Sequence, residues 1–232
     1  MRVSILVPIY NEEKTIINIL SKIQDEIKNL NEFNFEVIII NDGSNDASKK
    51  LLEENPNLYD TLISFNNNKG KGFAIKEGLK KISGEITLIQ DADLEYLPKN
   101  YKNLLQPFKK HGAQVVYGSR FKSTEVNRVI FFWHMIANKI ITFFSNIFSN
   151  LNFTDVETGY KIFRSDILKK IDLKENSFAF EIEVTQKIAK IKPKLRIFEV
   201  GISYFGRTYQ EGKKIKFKDA VYAFISIIKY GF

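Results

Sequence analysis

Asp91, Asp93 and Glu95 stand at alternate positions in the stretch TLIQDADLEYLP, Thr87 to Pro98, directly behind a short apolar run and ahead of a proline. In an extended segment, three carboxylates so close repel one another unless a cation sits among them. A tight turn instead lets them converge on a hard divalent ion, and Mg²⁺ or Mn²⁺ commonly takes one or two carboxylates together with substrate phosphate oxygens. The bland alternative is a solvated acidic turn in which Asp93 or Glu95 caps the next helix. Placement behind a buried strand favours the metal.

Three further polar clusters follow apolar runs in the first half: PIYNEE from Pro8, NDGSND from Asn41 and NNNKGKG from Asn66. Asp42, right behind EVIII, is placed to accept hydrogen bonds from a ribose or a base, whereas Asp46 reads as the N-cap of a helix and Gly43 as a source of positive φ. The G-x-G of NKGKGFAIKEG lacks the third glycine and the acidic residue about 20 positions on that a dinucleotide site needs. It reads as a turn whose Lys69 or Lys71 faces a pyrophosphate, with a plain surface lysine as the alternative.

Periodicity supplies the elements that must position these groups. Strands are expected near Val3–Pro8, Val37–Asn41, Leu62–Asn66, Ile86–Gln90 and Gln114–Gly118, and helices near Glu12–Leu30, Ala47–Glu54, Phe73–Ile82 and Tyr101–Lys110. This alternation implies an α/β fold with a mainly parallel central sheet and helices on both faces, in which ligands sit beyond the carboxyl ends of the strands. Every polar cluster falls at such an end. Farther on, Val129–Leu151 and Ile215–Tyr230 are amphipathic helical patterns, the first with a wide aromatic face that either packs on its own sheet or lies on a membrane. The pattern Glu181–Lys190 reads mostly as core, with Glu181 or Glu183 as partners for nearby arginines.

The 232-residue chain is expected to form a single domain that buries roughly 70–75% of its unfolded surface. It contains no cysteine, which excludes disulfide scaffolds, thiolate metal sites and cysteine nucleophiles. Residues 1–118 carry 15 basic and 16 acidic side chains, and residues 119–232 carry 20 and 11. The second half therefore suits an anionic partner, and the absence of a nucleic-acid motif points to phosphate or membrane rather than nucleic acid. No signal peptide and no run of about 18 apolar residues is evident.

Seven segments in order, SILVPIYNEEKTI, VIIINDGSNDAS, NKGKGFAIKEGL, QDADLEY, VYGSRF, TDVETGYKIFR and ISYFGRTYQEGKKI, resemble the family 2 glycosyltransferases of the dolichol-phosphate or polyprenyl-phosphate mannose synthase type. The resemblance runs from Val3 to about Lys218. It implies a GT-A fold, a GDP- or UDP-linked sugar donor, Mg²⁺ or Mn²⁺, and inverting transfer to a polyprenyl phosphate. The nucleotide-sugar half would be 1–118 and the acceptor half 119–232. By position, Pro8, Tyr10, Glu12 and Asp42 would cradle the nucleotide, with Lys71 and Asp91 beside them, and Asp91, Asp93 and Glu95 would hold the metal. Asp93, Arg120 and Arg207 would be catalytic; Arg120, Arg207, the loosely matching Arg128 and Lys213 would face the acceptor phosphate. The sequence departs from the family pattern at Asn41, where many relatives have aspartate, and at Glu95, where some have glutamine.

The acceptor decides whether a base is needed. A phosphate monoester has a second pKa near about 6 and attacks without giving up a proton. A saccharide or lipid hydroxyl, the alternative acceptor, needs a general base, for which Asp155 is the candidate. A non-catalytic nucleotide-binding subunit has no need of the D-x-D cluster. A polyprenyl acceptor would place the protein peripherally on the cytoplasmic face of a membrane, held by the aromatic helix and by Lys213, Lys214, Lys216 and Lys218.

Overall fold

A computed structural model describes all residues except 124, 125, 130, 192, 209, 212–216 and 232, and only the backbone of 217 and 218. The first half runs β1 (Arg2–Ile9), α1 (Ile16–Asn29), β2 (Asn34–Asp42), α2 (Ser48–Glu54), β3 (Thr61–Phe65), α3 (Lys71–Leu79), β4 (Ile86–Ile89), α4 (Tyr101–Lys110) and β5 (Val115–Ser119). Each expected element is there, with ends shifted by a few residues. The second half adds α5 (Phe132–Ser149), β6 (Lys161–Arg164), α6 (Ser165–Leu168), α7 (Phe180–Lys190), β7 (Ile197–Gly201) and α8 (Phe217–Gly231).

All seven strands form one sheet in the order β3-β2-β1-β4-β6-β5-β7. Residue 119 therefore marks no break in the sheet. The sheet is parallel apart from β6, which runs antiparallel to both β4 and β5. β6 and β7 escape a reading by periodicity because KIFR and IFEVG are too short and too mixed to stand out.

Burial on both faces explains the unbroken apolar runs. Val3, Ile5 and Val7 of β1 point to one side and pack with Ile16, Ile19 and Ile23 of α1 and Leu104 of α4. Leu6 points to the other, with Ile38 and Ile40 of β2, Ala74 and Ile75 of α3, and Phe180 and Val184 of α7. Because β1 to β5 are parallel apart from their order, their carboxyl ends share one edge. Reversed β6 brings its first residue to that edge, since Leu88 of β4 pairs with Ile162 and Tyr117 of β5 with Lys161.

The aromatic helix α5 divides its faces. Ile141, Thr142 and Ser145 are buried, Ser145 accepts from the Gln186 side chain of α7, and the Phe144 ring meets Phe224 of α8 at 4.9 Å. Phe131 just before the helix, and Phe132, Trp133, Ile140, Phe143 and Ile147 on it, are exposed, Trp133 by 76%. Tyr222, Ile225 and Ile228 of α8 are likewise exposed. Among the described residues no helix is long and apolar enough to cross a membrane.

Candidate active site

A cavity of about 680 Å³ opens at the shared strand edge. Pro8, Tyr10, Glu12, Asp42, Lys71, Asp91, Asp93, Glu95, Arg120 and Arg207 all line it. Arg128 does not: it pairs with Glu211 at 2.7 Å and donates to the Gly206 carbonyl. Lys213, Lys214 and Lys216 lie outside the described residues, as does the side chain of Lys218.

The three alternate carboxylates do not form an extended acidic row. Leu94 takes a left-handed backbone with φ of 64°, and the Glu95 N–H donates to Asp93 at 3.1 Å, so the chain turns sharply between them. Left-handed backbone in a side-chain-bearing residue costs free energy and concentrates at functional sites. Each carboxylate then meets a cation or donor. Lys71 at the start of α3 lies 2.6 Å from Asp91 and 2.8 Å from Glu181 of α7, and buried Lys161 lies 2.5 Å from the other Glu181 oxygen. Arg207 reaches Asp93 at 3.0 Å, Glu95 at 3.4 Å and Glu12 at 3.5 Å. Its backbone N–H and the Tyr204 hydroxyl also donate to Glu95.

Two glycines permit this crowding. A Cβ on Gly70, whose φ is 104°, would lie 2.4 Å from the Asn176 carbonyl, so only glycine lets the loop before α7 clamp onto α3 and bring Glu181 to Lys71. A Cβ on Gly159 would lie 2.2 Å from Asp91, so that loop rests directly on the acidic turn. The Gly159 N–H donates to the Tyr96 hydroxyl.

Charge partners decide the proton affinities. Lys71 is held well above the ordinary lysine range: burial opposes its charge, but Asp91 and Glu181 outweigh that. For Glu181 burial again acts to raise the pKa, and Lys161 with Lys71 more than offsets it. Asp93 is pushed up to about 7 by burial and by the Glu95 and Asp91 carboxylates, against the pull of Arg207. The donors suit a hard cation, because Asp91, Asp93 and Glu95 offer only carboxylate oxygen. Among the described residues no three acids converge closely enough to hold an ion alone.

Several residues serve other purposes than their sequence positions suggest. Asp42 does not present a free carboxylate: it accepts from the Asn68 side chain and from the Lys69 and Gly70 N–H groups, holding the β3–α3 loop. Lys69 lies over the Phe73 ring and is not among the lining residues. Asp46 is not the N-cap of α2, which is Ala47; it stands one residue earlier, where it accepts from the Ser48 N–H and from the Glu13 N–H. Asp155 cannot act as a free base. It is fully buried and bidentate to Arg120, with Nε and Nη2 each at 2.7 Å. Glu183 meets Lys187 and the Lys174 and Glu175 N–H groups, so the partners of both α7 glutamates are lysines and backbone, not arginines.

Periodicity gave no reason to single out Glu157, which lines the cavity with its Oε1 buried and, among the described residues, without a hydrogen-bond partner. Burial pushes it up to about 7, with Lys161 opposing. The signal was the second acid in TDVETG, overshadowed by Asp155.

Residues 4–172 match the model of glycosyl transferase family 2. The chain is 26% identical over 218 residues to the dolichol-phosphate mannosyltransferase of Pyrococcus furiosus, covering 93% of this chain and 61% of that protein. It is 28% identical to the dolichyl-phosphate beta-glucosyltransferase of Dictyostelium discoideum, covering 91% and 68%. Among solved structures, glucosyl-3-phosphoglycerate synthase from Mycobacterium tuberculosis, in complex with Mn²⁺, UDP and glucosyl-3-phosphoglycerate, superimposes with a TM-score of 0.74 at 17% identity, over 98% of this chain and 79% of the other. The likeness at that identity bears on the fold.

The elevated Asp93 pKa has a consequence for stability. A carboxyl that holds its proton more tightly folded than unfolded adds stability that is complete below about pH 4 and is lost as pH rises through about 7. The melting temperature of metal-free protein is expected to fall between pH 5 and pH 8, and Asp93→Asn to flatten that fall in differential scanning fluorimetry. An unchanged slope would show that Asp93 ionises normally.

Proposed function

The chain belongs to glycosyl transferase family 2, with a GT-A fold, and on that premise we propose that it transfers a hexose from a nucleotide-diphosphate sugar to a polyprenyl phosphate at a membrane surface. The observation that carries this reading is the order of groups along the sheet edge. Pro8, Tyr10 and Asp42 stand at β1 and β2, the acidic turn at β4 and Arg120 at β5, with β6 between the last two. A nucleoside over the first group puts its diphosphate at the second and its sugar over β6. The acceptor phosphate then faces Arg120.

Arg120 is suited to that place because Asp155 fixes its guanidinium, which is only 8% exposed and so keeps a strong field. Arg207 bridges Asp93 and Glu95, and its cationic fork also suits a phosphate. Bound Mg²⁺ or Mn²⁺ supplies charge neutralisation for the leaving diphosphate, and Asp91, Asp93 and Glu95 would hold it. An anionic acceptor needs no proton removed, in keeping with Asp155 being committed to Arg120. One observation favours the runner-up, a hydroxyl acceptor: Glu157, pushed up to about 7 and with its Oε1 unpartnered among the described residues, is matched to general-base work.

The acceptor places the protein on the cytoplasmic face of a membrane. The exposed Phe131, Phe132, Trp133, Phe143 and Ile147 form an apolar surface, and the excess of Lys and Arg beyond residue 119 draws it to anionic lipid.

Two measurements test this reading. Purified protein given GDP-mannose, UDP-glucose or UDP-N-acetylglucosamine with vesicle-borne polyprenyl phosphate is expected to transfer one sugar, to stop in EDTA and to lose roughly 10²–10³-fold of its rate in Asp93→Asn. Transfer to a hydroxyl acceptor alone would favour the runner-up. Sedimentation with anionic vesicles is expected at low salt, with partial release at high salt as exposed charges are screened, and further release when Phe131, Phe132 and Trp133 become serine. No sedimentation at low salt would contradict the membrane placement.

A further inference from the structure

Two carboxylates at the cavity, Glu157 and Glu181, have a buried oxygen with no hydrogen-bond partner among the described residues, but that of Glu181 lies 2.8 Å from the Lys71 ammonium, whereas Glu157 Oε1 has no such ion pair among them. Leaving a carboxylate oxygen so placed costs free energy, and native structures rarely keep one without a use.

The surroundings prevent an internal solution. Lys161 is the nearby cation, but its three protons go to the Val156 carbonyl at 2.9 Å, the Thr158 carbonyl at 2.6 Å and Glu181. Those two carbonyls flank Glu157 in sequence. The same lysine therefore fixes the backbone on both sides of Glu157 while having nothing left to give it. Gly159, held by Tyr96 and resting on Asp91, anchors the loop against the acidic turn.

Position along the sheet edge identifies the missing donor. Glu157 precedes β6, the strand between the acidic turn of β4 and Arg120 of β5. Resting on the donor reading proposed above, a diphosphate at Asp91 and Asp93 puts the sugar over β6. A hexose is neutral and rich in O–H donors, which matches a carboxylate with a vacant acceptor and no cation to spare.

We propose that Glu157 recognises the donor sugar, accepting hydrogen bonds from its ring hydroxyls, and so contributes to the choice of hexose. A site built to hydrogen-bond a hydroxyl discriminates strongly, because the analogue that lacks it leaves the buried group unpaired.

Isothermal titration with matched pairs, GDP against GDP-mannose and UDP against UDP-glucose, in the presence of Mn²⁺ tests this on wild type, Glu157→Gln and Glu157→Ala. For the pair that binds, both variants are expected to lose roughly 10- to 100-fold in affinity for the sugar nucleotide. Affinity for the free diphosphate should stay within about twofold, as one hydrogen bond's worth of change is confined to the sugar. The melting temperature should not fall, since the substitution removes a buried carboxylate oxygen that has no hydrogen-bond partner among the described residues. Equal losses for sugar nucleotide and diphosphate, or no loss for either, would overturn the proposal. So would unchanged donor affinity with a collapse in transfer to a hydroxyl acceptor, which makes Glu157 a general base. A wild-type protein that binds no member of either pair removes the donor reading itself.

Discussion

The site depends on compensating negative charge at the buried edge of a sheet. Asp91, Asp93, Glu95, Glu12 and Glu181 crowd a cavity wall with little water to screen them, and Lys71, Lys161 and Arg207 are threaded between them. Removing one partner from such a network leaves an uncompensated charge, which is far more costly than the pair is stabilising. The tertiary structure is arranged around this requirement. Gly70 admits the loop that brings α7 to α3, and reversed β6 sends Lys161 up into the cluster. Arg207 comes from beyond β7, at the far end of the sheet order, to the acidic turn at its middle.

The same balance gives the site its chemistry. The cluster is not fully neutralised, since Asp93 retains its proton up to about pH 7 beside two other carboxylates. A divalent cation arriving with a diphosphate would relieve that crowding from one side, while Lys71 and Arg207 remain within reach of phosphate oxygens. Arg120 is separate from this group, locked to its own counter-ion Asp155. The cavity thus places an acidic cluster threaded with Lys71 and Arg207 on one side of the space over β6 and the Arg120–Asp155 pair on the other.

Much of this was legible in the chain. The first-half alternation, three polar clusters at strand ends and the acidic turn are local patterns, and Asp42, Lys71, Asp91, Asp93 and Glu95 read from them line the cavity, as do Pro8, Tyr10, Glu12, Arg120 and Arg207, which the family resemblance implied. What the sequence concealed was long-range pairing. Glu181 looked like helix core because helical periodicity records burial and not the lysine 110 positions away that makes burial tolerable. Asp155 looked like a base because its arginine is 35 residues upstream. Asp42 looked free because the loop it holds follows the next strand. Arg128 shares the basic half with Arg120 yet turns to Glu211 instead of the cavity.

On the proposed metal role of Asp91, Asp93 and Glu95, Lys71 and Arg207 already pair with these carboxylates, so an ion held there would need further oxygens from a diphosphate. Binding of metal and nucleotide must then be mutually reinforcing. Titration of Mn²⁺, followed by the loss of its free-ion electron paramagnetic resonance signal, tests this directly with and without GDP or UDP. The protein is expected to bind Mn²⁺ weakly alone and at least about tenfold more tightly than protein and nucleotide separately account for when both are present, a coupling of roughly 1.4 kcal/mol. Tight Mn²⁺ binding that is the same in the absence of nucleotide would show a preformed carboxylate cage and contradict the account.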